Sequence, residues 1–345
     1  MTAVPRKIWI SAAALVLVHI VVLSSSFLAP YDPVAQNRDL PFAPPMHLHF
    51  VDSAGKFHVR PFVYPWRAQP SGDHLQYQED RSQVWKIRFF VQQEQSGNRT
   101  AHSTSLRLFG VDAPGYVFLA GTDDYGRDQL SRLLYGGQIS LFAGLLGAAL
   151  SLSLALFLGG VAGYFGSWPD DVIMRGAEIF MALPRVYLLL GVRAFLPLHL
   201  GPRQTFFLLI GIMGLTGWAR PSRLIRGVVL SAKQRDYVRA AHGFGASWGY
   251  ILRRHVLPEA SSVALTQGSL LVPQYILAEV TLSFLGLGIG EPLPSWGNML
   301  AGLQSYYVLN SYWWIAISGF ALVPVFLLYY GLSDALRARL GNAGS

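Results

Sequence analysis

From Ile139 to Phe165 the chain carries no charged side chain and no proline, and Gly144, Gly147, Ala148, Gly159, Gly160 and Gly163 recur along it. Such a tract exceeds the about 20 apolar residues that a helix needs, at about 1.5 Å each, to cross about 30 Å of hydrocarbon. Its small residues offer surfaces on which other helices can approach closely, so the pattern predicts a buried packing helix in a bilayer. Of 345 residues, 52% are hydrophobic and only 13% charged, too apolar and charge-poor for an ordinary soluble domain. There is no cysteine, which excludes disulfides, thiolate metal sites and cysteine nucleophiles. The formal net charge of +8 resides in Lys and Arg that flank apolar tracts. It does not form one interleaved basic and aromatic surface, so topology explains it and nucleic acid is not an expected partner.

Six spans are expected in all. Ile8 to Leu28 follows Arg6 and Lys7. A cleaved signal peptide shares that basic start but has an apolar region of about 7–15 residues, so residues 1–29 are read as an uncleaved anchor. Ile139–Phe165 is the second span, and Val172–Leu196, interrupted by Arg175, Glu178, Pro184, Arg185 and Arg193, the third. Thr205–Trp218 is short but extends through Ala219 into the basic segment behind it, and Ala260–Leu287 and Tyr312–Leu332 complete the set. Residues 30–132 contain no span; they form an insertion between the first and second. Within it His47–Val51 and Phe57–Val63 flank the turn-rich Asp52-Ser53-Ala54-Gly55-Lys56, which predicts a hairpin, and Val84–Val91 and Ser105–Val111 read as further short strands. The expected fold is an all-α polytopic membrane protein with six transmembrane helices and a β-rich extracytoplasmic insertion.

Orientation follows from Lys and Arg in the short loops. With the N-terminus inside, Arg6 and Lys7, the stretch Arg220–Arg254 and the C-terminal residues Arg337 and Arg339 all fall in the cytoplasm, and residues 30–132 fall outside. Both termini are then cytoplasmic, with residues 338–345 as a tail. In the basic stretch Asp236 can cap a helix starting at Tyr237, which Gly243 and Gly245 break after about two turns. Ser247–Val256 is amphipathic and stops at Pro258. The result is a helix-turn-helix across the membrane face. The plainer alternative is a solvated basic loop held by anionic lipid headgroups.

Arg239-Ala240-Ala241 is followed after three residues by Gly245 and, nine residues later, by His255-Val256-Leu257-Pro258. This spacing resembles the signature of the permease subunits of bacterial ABC importers, with Arg239 where that family usually has Glu and His255 where Ile is usual. Gly121-Thr122-Asp123-Asp124-Tyr125-Gly126-Arg127-Asp128, Ala278–Gly288 and Pro294–Leu300 resemble blocks of its dipeptide, oligopeptide and nickel branch, in the same order. The resemblance covers roughly Gly110–Arg337, and Tyr64-Pro65-Trp66 and Ile87-Arg88-Phe89-Phe90 are similar to a subgroup with an enlarged outer loop. It implies a type I ABC importer-like permease domain over residues 133–337 with a cytoplasmic coupling segment over 223–258. Arg239, Ala240, Ala241, Gly245, Ala246 and Ser247 would dock on the ATPase. The implied partners are a homologous second permease subunit, two cytoplasmic ATPase subunits or domains that bind ATP and magnesium, and an extracytoplasmic substrate-binding protein, in the bacterial inner membrane. Short peptides are the expected cargo, with nickel or another small solute as the alternative.

Other residues admit two readings each. Gly121–Asp128 has the look of a calcium loop without its spacing or terminal Glu, and is otherwise a turn leading into the membrane with Asp123 or Asp128 capping a helix near Gln129. Glu279, Arg185 and Arg193 either line a polar pathway or serve structure, Glu279 by pairing with a neighbour and the arginines by snorkelling. His47, His49 and His58 either hold a metal on the hairpin or are surface histidines, and no metal site is assigned. No phosphate-binding loop, nucleophile turn or H-E-x-x-H spacing occurs, so no catalytic residue and no cofactor is expected in this chain. A secondary transporter would need inverted repeats and paired broken helices, which are not evident. A membrane-embedded enzyme would need convergent polar residues, where only Glu279 stands out.

Overall fold

The structure, a computed structural model, describes residues 6–71, 74–94, 104–195, 197, 200–251, 253–254 and 257–343. Among the described residues helices α1 (Arg6–Leu23) and α2 (Ser25–Leu28) precede seven strands: β1 (His49–Val51), β2 (Phe57–Val63), β3 (Trp66–Ser71), β4 (His74–Glu79), β5 (Trp85–Lys86), β6 (Arg88–Glu94) and β7 (Thr104–Gly110). Then come α3 (Gln129–Phe165), α4 (Ser167–Ala182), α5 (Arg185–Ala194), α6 (Pro202–Gly217), α7 (Ala219–Lys233), α8 (Asp236–Gly243) and α9 (Trp248–Ile251). The chain continues through α10 (Leu257–Phe284), α11 (Trp296–Leu300), α12 (Tyr306–Ser311) and α13 (Ile317–Ala343). It divides into two compact units, one of Met1–Val16, Leu141–Leu282 and Val323–Ser345, the other of Leu17–Ser140 and Ser283–Leu322.

In the first unit α3 behaves as its glycines predict. A Cβ on Gly144 would meet the Val272 carbonyl and Ile276 of α10, and one on Gly159 would meet the Ser222 carbonyl and Ile225 of α7. At Gly163 it would fall 2.7 Å from Val229 and 2.9 Å from the Arg226 carbonyl. Helices α7 and α10 therefore rest on α3 nearly backbone to backbone. The Lys233 ammonium donates to the Tyr164 carbonyl at 2.6 Å, a cation placed against the last carbonyls of α3. Both carboxylate oxygens of Asp170 accept from the Arg226 guanidinium, which ties α4 to α7.

Among the described residues two helical segments are long and apolar enough to cross a membrane by length and composition, Gln129–Phe165 and Trp313–Arg339; Lys7–Leu23 is apolar but shorter. The expected single span Val172–Leu196 is instead two helices, α4 and α5. Leu183 is extended (φ −91°, ψ 134°) because it precedes Pro184, whose ring disfavours helical backbone in the residue before it. Pro258 does not end a helix but occupies the first turn of α10, where its missing N–H costs nothing. The boundaries expected at 132 and 337 fall inside α3 and α13. His255 and Val256 of the motif lie outside the described residues.

In the second unit the strands form three small antiparallel sheets, β1-β2-β5, β3-β4 and β6-β7. The expected hairpin is β1-β2. Its turn is closed by Asp52 Oδ1 accepting from the N–H groups of Ala54 (3.0 Å) and Lys56 (2.9 Å), with Gly55 at φ 80°. The expected strand Val84–Val91 is split, because Lys86 pairs with Phe62 of β2 and Arg88 with Gly110 of β7. Leu40, Ala43, Met46, Val63, Ile87, Val117 and Phe118 form the core of this part.

Gly163→Val should lower the melting temperature of the detergent-purified chain by an amount corresponding to about 1–3 kcal/mol of overpacking, since the obstructing carbonyl cannot rotate away. Gly191→Ala, whose Cβ would meet open space, should be neutral or slightly stabilising in the same scan.

Candidate functional site

The segment that carries the permease-like motif is built on α7. Ile225, Val229 and Ala232 of α7 pack with Val238 of α8, Ile251 of α9 and Ala260 of α10, an apolar cluster that fixes the two short helices. Helix α8 begins at Asp236 itself, so Asp236 places an acid in the first turn, where the helix dipole favours it. It ends in a paired turn: the Phe244 N–H donates to the Ala240 carbonyl at 3.0 Å and the Ala246 N–H to the Ala241 carbonyl at 3.1 Å. Gly245 has φ 81°, the left-handed position that this ending requires. Ala241 and Ala246 pack on the apolar cluster, while Arg239, Ala240, Gly245 and Ser247 are exposed. A Cβ on Gly245 would meet nothing within 4 Å. Arg235 pairs with Glu259 at 3.0 Å and the Tyr237 hydroxyl donates to the same carboxylate at 2.5 Å, joining the start of α8 to the first turn of α10.

A second polar constellation lies in the other unit. Asp123 accepts from the N–H groups of Tyr125 and Arg127 (both 2.9 Å) and from Arg127 Nε at 2.6 Å. The Arg127 guanidinium also donates to both Glu291 oxygens, at 2.6 and 3.2 Å, and Arg132 adds a bond to Glu291 at 2.9 Å. Burial works against the charge on Arg127, but Asp123 and Glu291 outweigh it and hold its pKa above the ordinary value. Asp128 caps α3, accepting from the Ser131 N–H at 2.8 Å and hydroxyl at 2.6 Å. Its burial pushes its pKa up to about 6 against those bonds. Of the two readings of Gly121–Asp128, the geometry is that of the capped turn, with the Asp123 carboxylate already neutralised by a guanidinium.

The histidines are likewise engaged with acids. His49 lies 3.1 Å and His47 3.5 Å from Glu79 Oε1, and His58 2.8 Å from Asp52. The bond from His58 holds the Asp52 carboxyl below its usual range; at Glu79 partial burial is outweighed by the bonds from His49 and His47. Among the described residues no group of three or more His, Asp and Glu is arranged to hold a metal ion.

Residues 155–342 match the family of binding-protein-dependent transport system inner membrane components. The chain belongs to this family. It is 35% identical over 249 residues to the oligopeptide transport system permease protein of Bacillus subtilis strain 168, covering 70% of this chain and 79% of that one. It is 38% identical over 226 residues to the dipeptide transport system permease protein of the same organism, covering 64% and 68%. A crystal structure of an amino acid ABC transporter with histidines is similar at 15% identity and a TM-score of 0.42, over 61% of this chain and 92% of that chain. This permease is thus a membrane-embedded transport component of an ABC importer and not a catalytic subunit.

The remaining polar residues of the permease are held separately. Glu279 lies inside α10 with none of its surface exposed. Arg185 opens α5, donates from Nη1 to Gln274 at 2.8 Å and lies 4.1 Å over the Tyr275 ring of α10. Arg193, 2% exposed, donates to the Pro197 carbonyl at 3.2 Å. Both arginines are turned into the chain. Two residues escaped the sequence reading. Glu291 does so because an ion pair across 164 positions has no local signature. Phe244, 93% exposed between Gly243 and Gly245, does so because sequence shows an aromatic residue but not its exposure.

The raised pKa of Asp128 has a definite sign. From about pH 4 to about pH 6 the folded chain binds a proton that the unfolded chain has released, so stability falls as pH rises through this window. Asp128→Asn keeps an acceptor for Ser131 and removes the titration. The melting temperature of the wild type relative to this variant should therefore fall between pH 4 and pH 7, by an amount corresponding to about 3 kcal/mol at most.

Proposed function

We propose that the chain is one half of the translocation path of a peptide importer, driven by separate ATPase subunits that dock on the turn from Arg239 to Ser247. The observation that carries this reading is the construction of that turn: its buried face is locked to α7 and α10, and its outer face is open, small-residued and tipped by an exposed Phe244. A partner can approach the Ala240 and Gly245 backbone closely and use Phe244 as an anchor, as buried aromatics do in most interfaces. The bridge from Arg235 and Tyr237 to Glu259 then carries the motion of α8 into α10, the helix that bears Glu279 and touches Arg185.

On this reading the chain is multi-pass in the bacterial inner membrane with both termini in the cytoplasm. Six membrane passages are formed by α1, α3, the α4–α5 pair, α6 with the start of α7, α10 and α13. The three small sheets lie in an extracytoplasmic insertion over residues 30–132, where a substrate-binding protein delivers its cargo. The positive-inside distribution of Lys and Arg supports that orientation. A homologous second permease subunit completes the path, and ATP and magnesium are bound by the ATPase partners. The names of the Bacillus relatives, which specify oligopeptide and dipeptide transport, support peptides as cargo. Arg239 makes the docking face electropositive where the family pattern has an acid.

Two variants test the docking surface in the complete transporter. Gly245→Asp retains a residue type that tolerates left-handed backbone but adds charge and bulk to the open face. It should abolish transport-coupled ATP hydrolysis while membrane insertion is unchanged. Phe244→Ala should weaken ATPase assembly about thirtyfold, the equivalent of about 2 kcal/mol at an interface anchor. Wild-type coupling in both variants would refute docking at this turn.

A further inference from the structure

The junctions α4–α5 and α6–α7, together with α10 and α13, enclose a cavity of about 780 Å³, within the size range of small-ligand sites. Its charged and amide-bearing lining is Arg185, Arg220, Arg223, Arg337, Gln267 and Gln274, and among the described residues no Asp or Glu lines it. Leu188, Leu270 and Leu271 supply apolar wall between these groups. Arg220, Arg223 and Arg337 are exposed, whereas Arg185 is set deeper.

Arg185 is positioned by its neighbours. Nη1 is taken by Gln274, and the guanidinium plane is laid on Tyr275, whose hydroxyl is itself fixed by bonds to Ser151 (3.0 Å) and the Met213 carbonyl (2.9 Å). Gly217 makes room for this arrangement, since a Cβ there would collide with the Tyr275 hydroxyl and approach Arg185 Nη2. Nε and Nη2 of Arg185 are buried and have no hydrogen-bond partner among the described residues. Burying two N–H groups of a cation without acceptors is costly, so a ligand acceptor toward which that edge can turn is favoured. Nε and Nη2 form one edge of the guanidinium, the fork that matches the two oxygens of a carboxylate. That edge is covered by protein, beside a cavity that Arg185 lines and whose other charges are all positive.

We propose that this cavity holds the C-terminal carboxylate of a peptide in transit. The carboxylate pairs with Arg185 as its unpartnered Nε and Nη2 edge turns into the cavity, the exposed arginines draw the anion in, and Gln267 and Gln274 meet peptide groups of the cargo. The proposal rests on the peptide-importer reading and adds to it the end of the peptide that the path recognises. The amide groups and apolar wall favour a peptide over a lipid phosphate, which needs neither.

The test measures binding of trialanine and trialanine amide to the complete transporter in phosphatidylcholine nanodiscs, without nucleotide or binding protein. The free acid should bind about tenfold more tightly than the amide, the usual cost of losing a charge-assisted pair, and the preference should vanish in Arg185→Gln. The double variant Arg220→Gln and Arg223→Gln alters only exposed side chains and should reduce the preference about threefold, which decides the matter if Arg185→Gln does not assemble. No binding of trialanine to the wild type, no preference, or a preference unchanged in the variants overturns the proposal. Equal binding of the two peptides, with co-purified phosphatidylglycerol that Arg185→Gln loses, assigns the cavity to a lipid phosphate and also overturns it. ATP-driven uptake of trialanine by wild-type proteoliposomes separates the two levels. Uptake without preference removes only the cavity assignment; preference without uptake removes the importer reading.

Discussion

The close approach of α7 and α10 to the glycine face of α3 is the contact on which the first unit depends. Lipid tails are as apolar as leucine, so helices in a bilayer gain little from hiding apolar surface against each other and must associate through dense packing and polar links. Gly144, Gly159 and Gly163 supply the density by admitting backbone where any side chain would intrude. Lys233 on the Tyr164 carbonyl and Arg226 on Asp170 supply the links. These contacts set α7 in place, and α7 in turn presents the apolar face on which α8 and α9 lie.

Polar groups organise the second unit instead. Asp123, Arg127, Arg132 and Glu291 form a compact network in which two guanidinium groups lie between two carboxylates. Breaking one member would leave a buried charge uncompensated, which costs more than the intact pair contributes. The Trp314 indole donates to the Thr122 carbonyl at 3.0 Å, and Phe42 stacks on Tyr312 at 4.4 Å. Residues 283–322, which run from the end of the fifth expected span into the sixth, thereby share one packed body with the insertion.

Features governed by local rules were legible before the structure. The α3 tract, the Asp52–Gly55 turn, the cap at Asp128 and the glycine-ended helix around Arg239 each follow from spacing or from a residue's backbone preference. The β3-β4 hairpin escaped the sequence reading although Trp66, Ala68, Leu75 and Tyr77 alternate with Arg67, Gln69, Gln76 and Gln78, because Pro70 within the run argues against a strand. The α4–α5 break was visible only as an interruption at Pro184; that it divides a span into two helices depends on Leu183 yielding to the proline ring. Of the named site residues, Arg239, Ala240, Gly245 and Ser247 come together on the exposed side of one turn, with Ala241 and Ala246 packed beneath it. Arg185 gains its meaning from Gln274 and Tyr275, nearly ninety positions away, and no pattern in the chain announces that pairing.

The proposed coupling requires the turn at Arg239–Ser247 to be a cytoplasmic surface covered by an ATPase partner. Because the chain has no cysteine, Ala240→Cys provides a single reactive site on that surface. The decisive measurement is its labelling rate by a membrane-impermeant maleimide in inside-out vesicles, with and without the ATPase subunits. Rapid labelling of the permease alone and at least about tenfold slower labelling in the assembled transporter is the predicted result, as expected for a residue inside an interface from which water is excluded. Equal rates in the two preparations, or labelling only from the opposite face of the membrane, would contradict it.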